Sequence, residues 1–184
     1  MLWLTNYSEY FDYMRRIARN HNLIKDTEEE KHFAMITFSA DPYGGYDLSE
    51  FLSLEKNKMH FPFLLAISPE MTYSDNRSDS ILKNIQGAFI VLEKYPRDEE
   101  EQKQVHIART EAIGEQIIAF MRYDIQRDPN NRRKYIFQTD QTNAQPITLH
   151  PEMKCVAGTR FNFTISCQAN ANLKYDNIFW ALDN

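Results

Sequence analysis

NIQGAFIVLEKY (residues 84–95), followed by PRDEEEQKQVHIARTEAIGEQIIAFMRYDIQ (residues 96–126), is the stretch around which the chain is organised. Ala88, Ile90 and Leu92 alternate with Phe89, Val91 and Glu93. Both sets are largely apolar, so the segment reads as a central strand covered on both faces. Gly87 fits a bulge or the close approach of another backbone. Pro96 has no N–H to give a ladder, but it suits the first turn of a helix. Asp98 to Glu101 then place acidic side chains where the helix dipole is positive. Val105, Ala108, Ala112, Ile117, Phe120, Met121 and Ile125 recur at roughly helical spacing and predict the buried stripe. Gly114 costs such a helix about 1 kcal/mol relative to Ala, and in return it lets a strand or partner come close. Asp128-Pro129-Asn130-Asn131 ends the helix, because Pro and Asn favour turns. A buried strand feeding a long helix that packs back on its sheet is the simplest arrangement.

At 184 residues the chain suits one domain with a sizeable core. A hydrophobic fraction of 42% and an aromatic fraction of 13% exclude a disordered chain. The net charge of -5 makes duplex DNA a poor default partner, since affinity there comes from Lys and Arg on phosphates. The pairs Arg15–Arg16 and Arg132–Arg133 are short enough to be solvated surface charge. Cys155 and Cys167 flank an expected strand without ligand spacing and read as buried free thiols. No basic, apolar leader and no run of membrane-spanning length occurs, so no membrane partner is expected and a cytoplasmic product is.

Thr5 or Asn6 is placed to cap a first helix, with Tyr7, Tyr10, Phe11, Met14, Ile17 and Ala18 on one face. That face suits docking on a sheet or on a neighbouring subunit. KHFAMITFS (residues 31–39) reads as a strand, and DLSEFLSLEK (residues 47–56) as one or two helical turns capped by Asp47 or Ser49. FPFLLAIS (residues 61–68) is a second buried strand. PEMTYSDNRSDSILKN (residues 69–84) reads as a long polar excursion, a hairpin arm of about residues 72–84 whose tip projects from the body. After the long helix, RKYIFQTDQ (residues 133–141) reads as a strand and AQPITLHP (residues 144–151) as an irregular connector. In CVAGTRFNFTISCQA (residues 155–169), Phe161, Phe163, Ile165 and Cys167 alternate with Arg160, Asn162, Thr164 and Ser166, a half-buried strand. Ile178, Phe179, Trp180 and Leu182 mark a docking C-terminal tail of about residues 170–184. Together these elements predict a single α+β domain over residues 1–184, its largely antiparallel sheet carrying the long helix and the N-terminal helix.

Chemistry is sparsely signalled. His21, His32, His60, His106 and His150 include no pair at i, i+3 or i+4, and no HExxH occurs. GxSxG, the phosphate-binding P-loop and GxGxxG are absent, and only five glycines are available for a phosphate-cradling loop. SDNRSDS (residues 74–80) has paired aspartates but lacks the Gly and terminal Glu of a calcium loop. Glu29-Glu30-Lys31 matches the short E-x-K element of certain metal nucleases, a pattern that also arises by chance. No catalytic residue, metal or cofactor is expected.

The order of elements carries a resemblance. An aromatic N-terminal helix, the strand FPFLLAIS, a polar arm, the returning strand QGAFIVLEKY, the helix segment IGEQIIAFMR and the last strand GTRFNFTISC resemble the tail terminator and tail-completion (head-tail joining) proteins of long-tailed bacteriophages. FPFLLAIS, DNRSD, GAFIVLE and GTRFNFTIS look like phage-type proteins of Bacteroidetes genomes, and the likeness covers about residues 1–170. It implies a structural virion protein that is assembled in the host cytoplasm and forms a homo-oligomeric ring, a hexamer. The ring caps the tail tube, contacts tail tube and neck proteins, and lets DNA pass passively. A ring subunit needs heterologous contacts that close by rotation. Thr72, Tyr73, Asn76, Arg77 and Asp79 of the arm, with Ile178, Phe179 and Trp180 of the tail, are the candidate subunit interface. Three other readings stand beside this one. A neck or head-completion connector would also form a ring, a binding module would stay monomeric, and a metal-dependent nuclease would use Glu29 and Lys31 or converging histidines.

Overall fold

The computed structural model describes residues 4, 6–37, 59–75, 80–96, 102–148, 155–170 and 173. Among them the order is α1 (Tyr7–Asn20), β1 (Phe33–Ile36), β2 (Phe63–Asp75), β3 (Ile81–Lys94), α2 (Lys103–Arg127), α3 (Pro129–Lys134), β4 (Tyr135–Thr148) and β5 (Val156–Gln168). The strands form one sheet in the order β1-β2-β3-β5-β4, and every pairing is antiparallel except the short β1 beside β2. The architecture is α+β, with α1 and α2 packed on the sheet. The segments about residues 47–56, 76–79 and 174–184, and with them Asn76, Arg77, Asp79, Ile178, Phe179 and Trp180, lie outside the described residues.

α1 starts where Asn6 Oδ1 accepts the backbone N–H of Glu9 at 3.0 Å, so Asn6 rather than Thr5 is the cap. Tyr10, Tyr13, Met14, Ile17 and Ala18 are buried against the sheet, while Tyr7 stays 46% exposed. α2 ends at Arg127, and the chain turns at once into α3: Asp128 Oδ1 accepts the N–H of Asn130 at 2.9 Å, and Pro129 occupies the first turn.

The buried stripe of α2 differs from the predicted one. Ile107, Thr110, Ile113, Gly114, Ile117, Met121, Asp124 and Ile125 face inward. Val105, at 67% exposure, and also Ala108 and Ala112, face out. The sheet below selects this rotation. A Cβ on Gly114 would sit 2.0 Å from Phe161 Cε2, so Gly114 is where the helix backbone rests on that ring. Phe161 in turn stacks on Phe89 with centroids 5.2 Å apart. Gly87 plays the same part inside β3, where a Cβ would lie 2.4 Å from Phe163 Cζ and 2.8 Å from Tyr10 Oη.

Register assigns side chains to two faces. Leu64, Ala66, Ile85, Phe89, Val91, Phe161, Phe163, Ile165 and Cys167 point to the helices and form the main core with α1 and α2. Phe63, Leu65, Ile67, Ala88, Ile90 and Leu92 point to the second face and are buried there too. This fits the expectation that β3 is covered on both faces. Farther along the same face the side chains turn polar: Glu70, Thr72, Ser74, Asn84, Gln86, Asn162, Thr164 and Ser166.

Two sequence expectations need correction. Strand runs into the segment expected as a polar arm: β2 continues to Asp75, β3 begins at Ile81, and β5 pairs with β3 as far as Leu82. The expected projecting arm is therefore sheet along its described length, held on one side by β5. Residues 144–148 are not a connector but the end of β4, paired from Asn143↔Asn162 to Thr148↔Ala157. In each case the partner strand supplies ladder hydrogen bonds that local composition does not reveal.

Candidate functional site

The end of the sheet where β2 ends and β3 begins carries the exposed features. β1 covers β2 only from Leu64 to Ile67, so among the described residues Ser68–Asp75 has a strand on one side only. β4 likewise pairs with β5 alone among the described residues. Both edges are interrupted. β2 has a register shift between Ile67 and Glu70, with Pro69 inside it, and β4 has one between Gln138 and Asn143, with Pro146 beyond. Proline removes a donor and a bulge breaks the ladder, and both block indiscriminate edge pairing. One regular, proline-free window outside the β1 contact remains on each edge among the described residues, Glu70–Asp75 on β2 and Tyr135–Gln138 on β4.

The windows lie at the same end of the sheet, since Tyr73 pairs with Lys83, Lys83 with Cys167 and Cys167 with Tyr135. Each exposes one large apolar side chain, Tyr73 at 51% and Ile136 at 55%. Tyr73 covers Lys83, whose Nζ is 5.8 Å from the ring centroid. Thr72 is half-buried opposite Asn84. Between the windows a row of hydrogen-bonded side chains crosses the second face. Gln138 Nε2 donates to Ser166 Oγ at 3.1 Å, Ser166 Oγ donates to Asn84 Oδ1 at 2.7 Å, and Asn84 Nδ2 donates to Ser74 Oγ at 3.3 Å. This row makes the sheet end stiff and polar rather than greasy.

Of the candidates named from sequence, the structure therefore places Thr72 and Tyr73 on the β2 edge. Ile136 was missed. Its neighbours Tyr135 and Phe137 make the run look covered on both faces, and only the position of β4 at the edge exposes Ile136.

Three clusters of ionisable side chains are buried or half-buried in the body of the fold. Asp124 is held by Arg16 and by Arg127, the latter at 2.7 Å, and it ties α1 to α2. Glu93 accepts from His106 Nδ1 and from Arg109 Nη1, both at 3.0 Å, which pins the start of α2 to the end of β3. Among the described residues no hydroxyl or thiol hydrogen-bonds His106. His32 Nδ1 donates to the Pro62 carbonyl at 2.8 Å, and its ring centroid is 5.6 Å from that of His60. The fold thus brings together two of the scattered histidines, yet among the described residues no three His, Cys, Asp or Glu side chains are arranged to hold a metal ion. Glu29, in a bend, and Lys31, just after it, are exposed and precede β1. Cys155 and Cys167 are both buried free thiols at opposite ends of β5, and burial pushes the Cys167 thiol up from its ordinary value. No described helix is long and apolar enough to cross a membrane. No protein-family model and no curated protein matches this chain.

Proposed function

We propose that this chain is a ring-forming structural subunit, a tail terminator or tail-completion protein that caps a phage tail tube and joins it to the head and neck. The observation that carries the reading is the pair of unlike edge windows at one end of the sheet. A contact between the β2 edge of one copy and the β4 edge of the next is heterologous, and repeated rotation closes such contacts into a ring. Tyr73 and Ile136 supply the apolar anchors, and the two register shifts mark where each window stops. The self-contact is primary, with tail tube and neck proteins stacked on the two sides of the ring. The ring belongs to the virion.

Light scattering across a concentration series, followed by negative-stain imaging, tests this reading. The wild type forms closed rings. Tyr73→Asp disables the β2 window and Ile136→Asp the β4 window, so each variant is a monomer with unchanged circular dichroism. Mixing the two variants leaves one intact window on each and yields a one-to-one dimer that cannot extend. A wild type that stays monomeric at every concentration, or an oligomer that neither substitution disturbs, overturns the proposal.

A further inference from the structure

We propose that the second face of the sheet holds a binding site for a small polar monocarboxylate, gripped by Arg160. The site lies where the sheet bends. Gly87 pairs with Phe163 in the central strands, and the two register shifts flank this pair, one in β2 between Ile67 and Glu70, the other in β4 between Gln138 and Asn143. Bulges bend a sheet and increase its twist. With one on each side at the same level, a trough of about 390 Å³ opens on the second face, lined by Glu70, Gln86, Gln141, Arg160, Asn162 and Thr164. That volume lies within the roughly 300–1,000 Å³ of ordinary small-molecule sites.

Arg160 is positioned rather than loose. Its Nε donates to Asn162 Oδ1 at 3.0 Å, and Asn162 Nδ2 donates to Asn143 Oδ1 at 2.8 Å. The guanidinium is thereby held through Nε, and among the described residues nothing hydrogen-bonds or ion-pairs its two terminal nitrogens. A fork fixed at its base with both tips open matches a planar carboxylate in bidentate fashion.

The choice of carboxylate over phosphate follows from the rest of the lining. Among the described residues that line the trough, Arg160 is the one cation, and none belongs to a helix N-terminus. Glu70 on the far wall, together with a net charge of -5, disfavours a dianion. Gln86, Gln141 and Thr164 offer both donors and acceptors for an amide or hydroxyl body, and Glu70 suits an amino or hydroxyl end.

A ¹⁵N-labelled sample titrated with acetate, lactate and N-acetylglutamine, then with the uncharged carboxamide of N-acetylglutamine and with inorganic phosphate, tests it. The carboxylates shift the amides of Gln86, Asn162 and Thr164 saturably, and the carboxamide binds at least about tenfold more weakly, the scale of one charge-assisted hydrogen bond. Arg160→Gln weakens the carboxylates by a similar factor while signals from α1 and α2 stay in place. No shift with any carboxylate at tens of millimolar, equal binding of acid and carboxamide, or tighter binding of phosphate overturns the proposal. The acid–carboxamide comparison uses the wild type, so it decides the matter even if Arg160→Gln misfolds.

Discussion

Replacing Gly114 with Ala should destabilise this protein, although the same change stabilises most helices. In an exposed helix interior, Gly→Ala gains about 1 kcal/mol. Here the new methyl would lie 2.0, 2.5 and 2.6 Å from three atoms of the Phe161 ring, well inside ordinary van der Waals contact. The ring has little room to retreat, because Phe161 is 2% exposed and already stacks on Phe89 at 5.2 Å. Overpacking of this kind costs about 1–3 kcal/mol, and a clash with three ring atoms belongs at the upper end. The net expectation for Gly114→Ala is a loss of about 2 kcal/mol, read as a lower urea midpoint with unchanged slope. The companion variant is Phe161→Leu, which removes the ring atoms that clash. In the Phe161→Leu background, Gly114→Ala should be neutral or stabilising, so the double-mutant cycle should show a favourable coupling of about 2 kcal/mol. Additivity within about 0.5 kcal/mol would refute the reasoning, as would stabilisation by Gly114→Ala alone. Either result would mean that α2 does not rest on Phe161 through its backbone.

Two other perturbations test the core. Asp124→Ala removes a carboxylate that is 2% exposed and leaves Arg16 and Arg127 without it. Both arginines are more than a third exposed, so the cost should be about 1–3 kcal/mol in urea denaturation, below that of breaking a fully buried pair. Alkaline pH should also unfold the protein. Burial raises the Tyr10 and Tyr13 hydroxyls above their ordinary 10.0, and the Cys167 thiol above its ordinary 9.0. The folded state therefore keeps protons that the unfolded state gives up. Stability is complete below the ordinary values and falls as pH rises through 9 and 10, by up to about 1.4 kcal/mol per pH unit for each group. Urea midpoints from pH 8 to 11 should decline, and the tyrosinate absorbance of these two rings should appear only with unfolding; a flat profile would contradict the burial.

The sequence by itself determined whatever depends on neighbours within a turn or a strand. The alternation in residues 84–95 and 158–167 marked β3 and the buried face of β5. Asn6 marked a helix start and Asp128-Pro129 a helix end, and the α+β class followed from the order of these elements. Gly114 was legible as a place of close approach. Tertiary structure decided the rest. The rotation of α2 follows from Phe161 rather than from its own apolar count, which is why Val105 faces water. β2 and β4 run on through polar and Pro-containing segments because β3 and β5 supply the ladder partners. Of the candidate interface, Tyr73 was visible as part of an arm, whereas Ile136 became a surface residue only once β4 took the edge. Arg160 read simply as the polar side of a half-buried strand. Its fixed orientation needs Asn162 beside it and Asn143 across the ladder, and the trough needs two bulges, in strands separated along the chain by β3 and two helices, to fall at one level. Local pattern records which side of an element is apolar. It does not record which other element arrives there, because that depends on the combined hydrogen-bonding and packing of segments far apart in the chain.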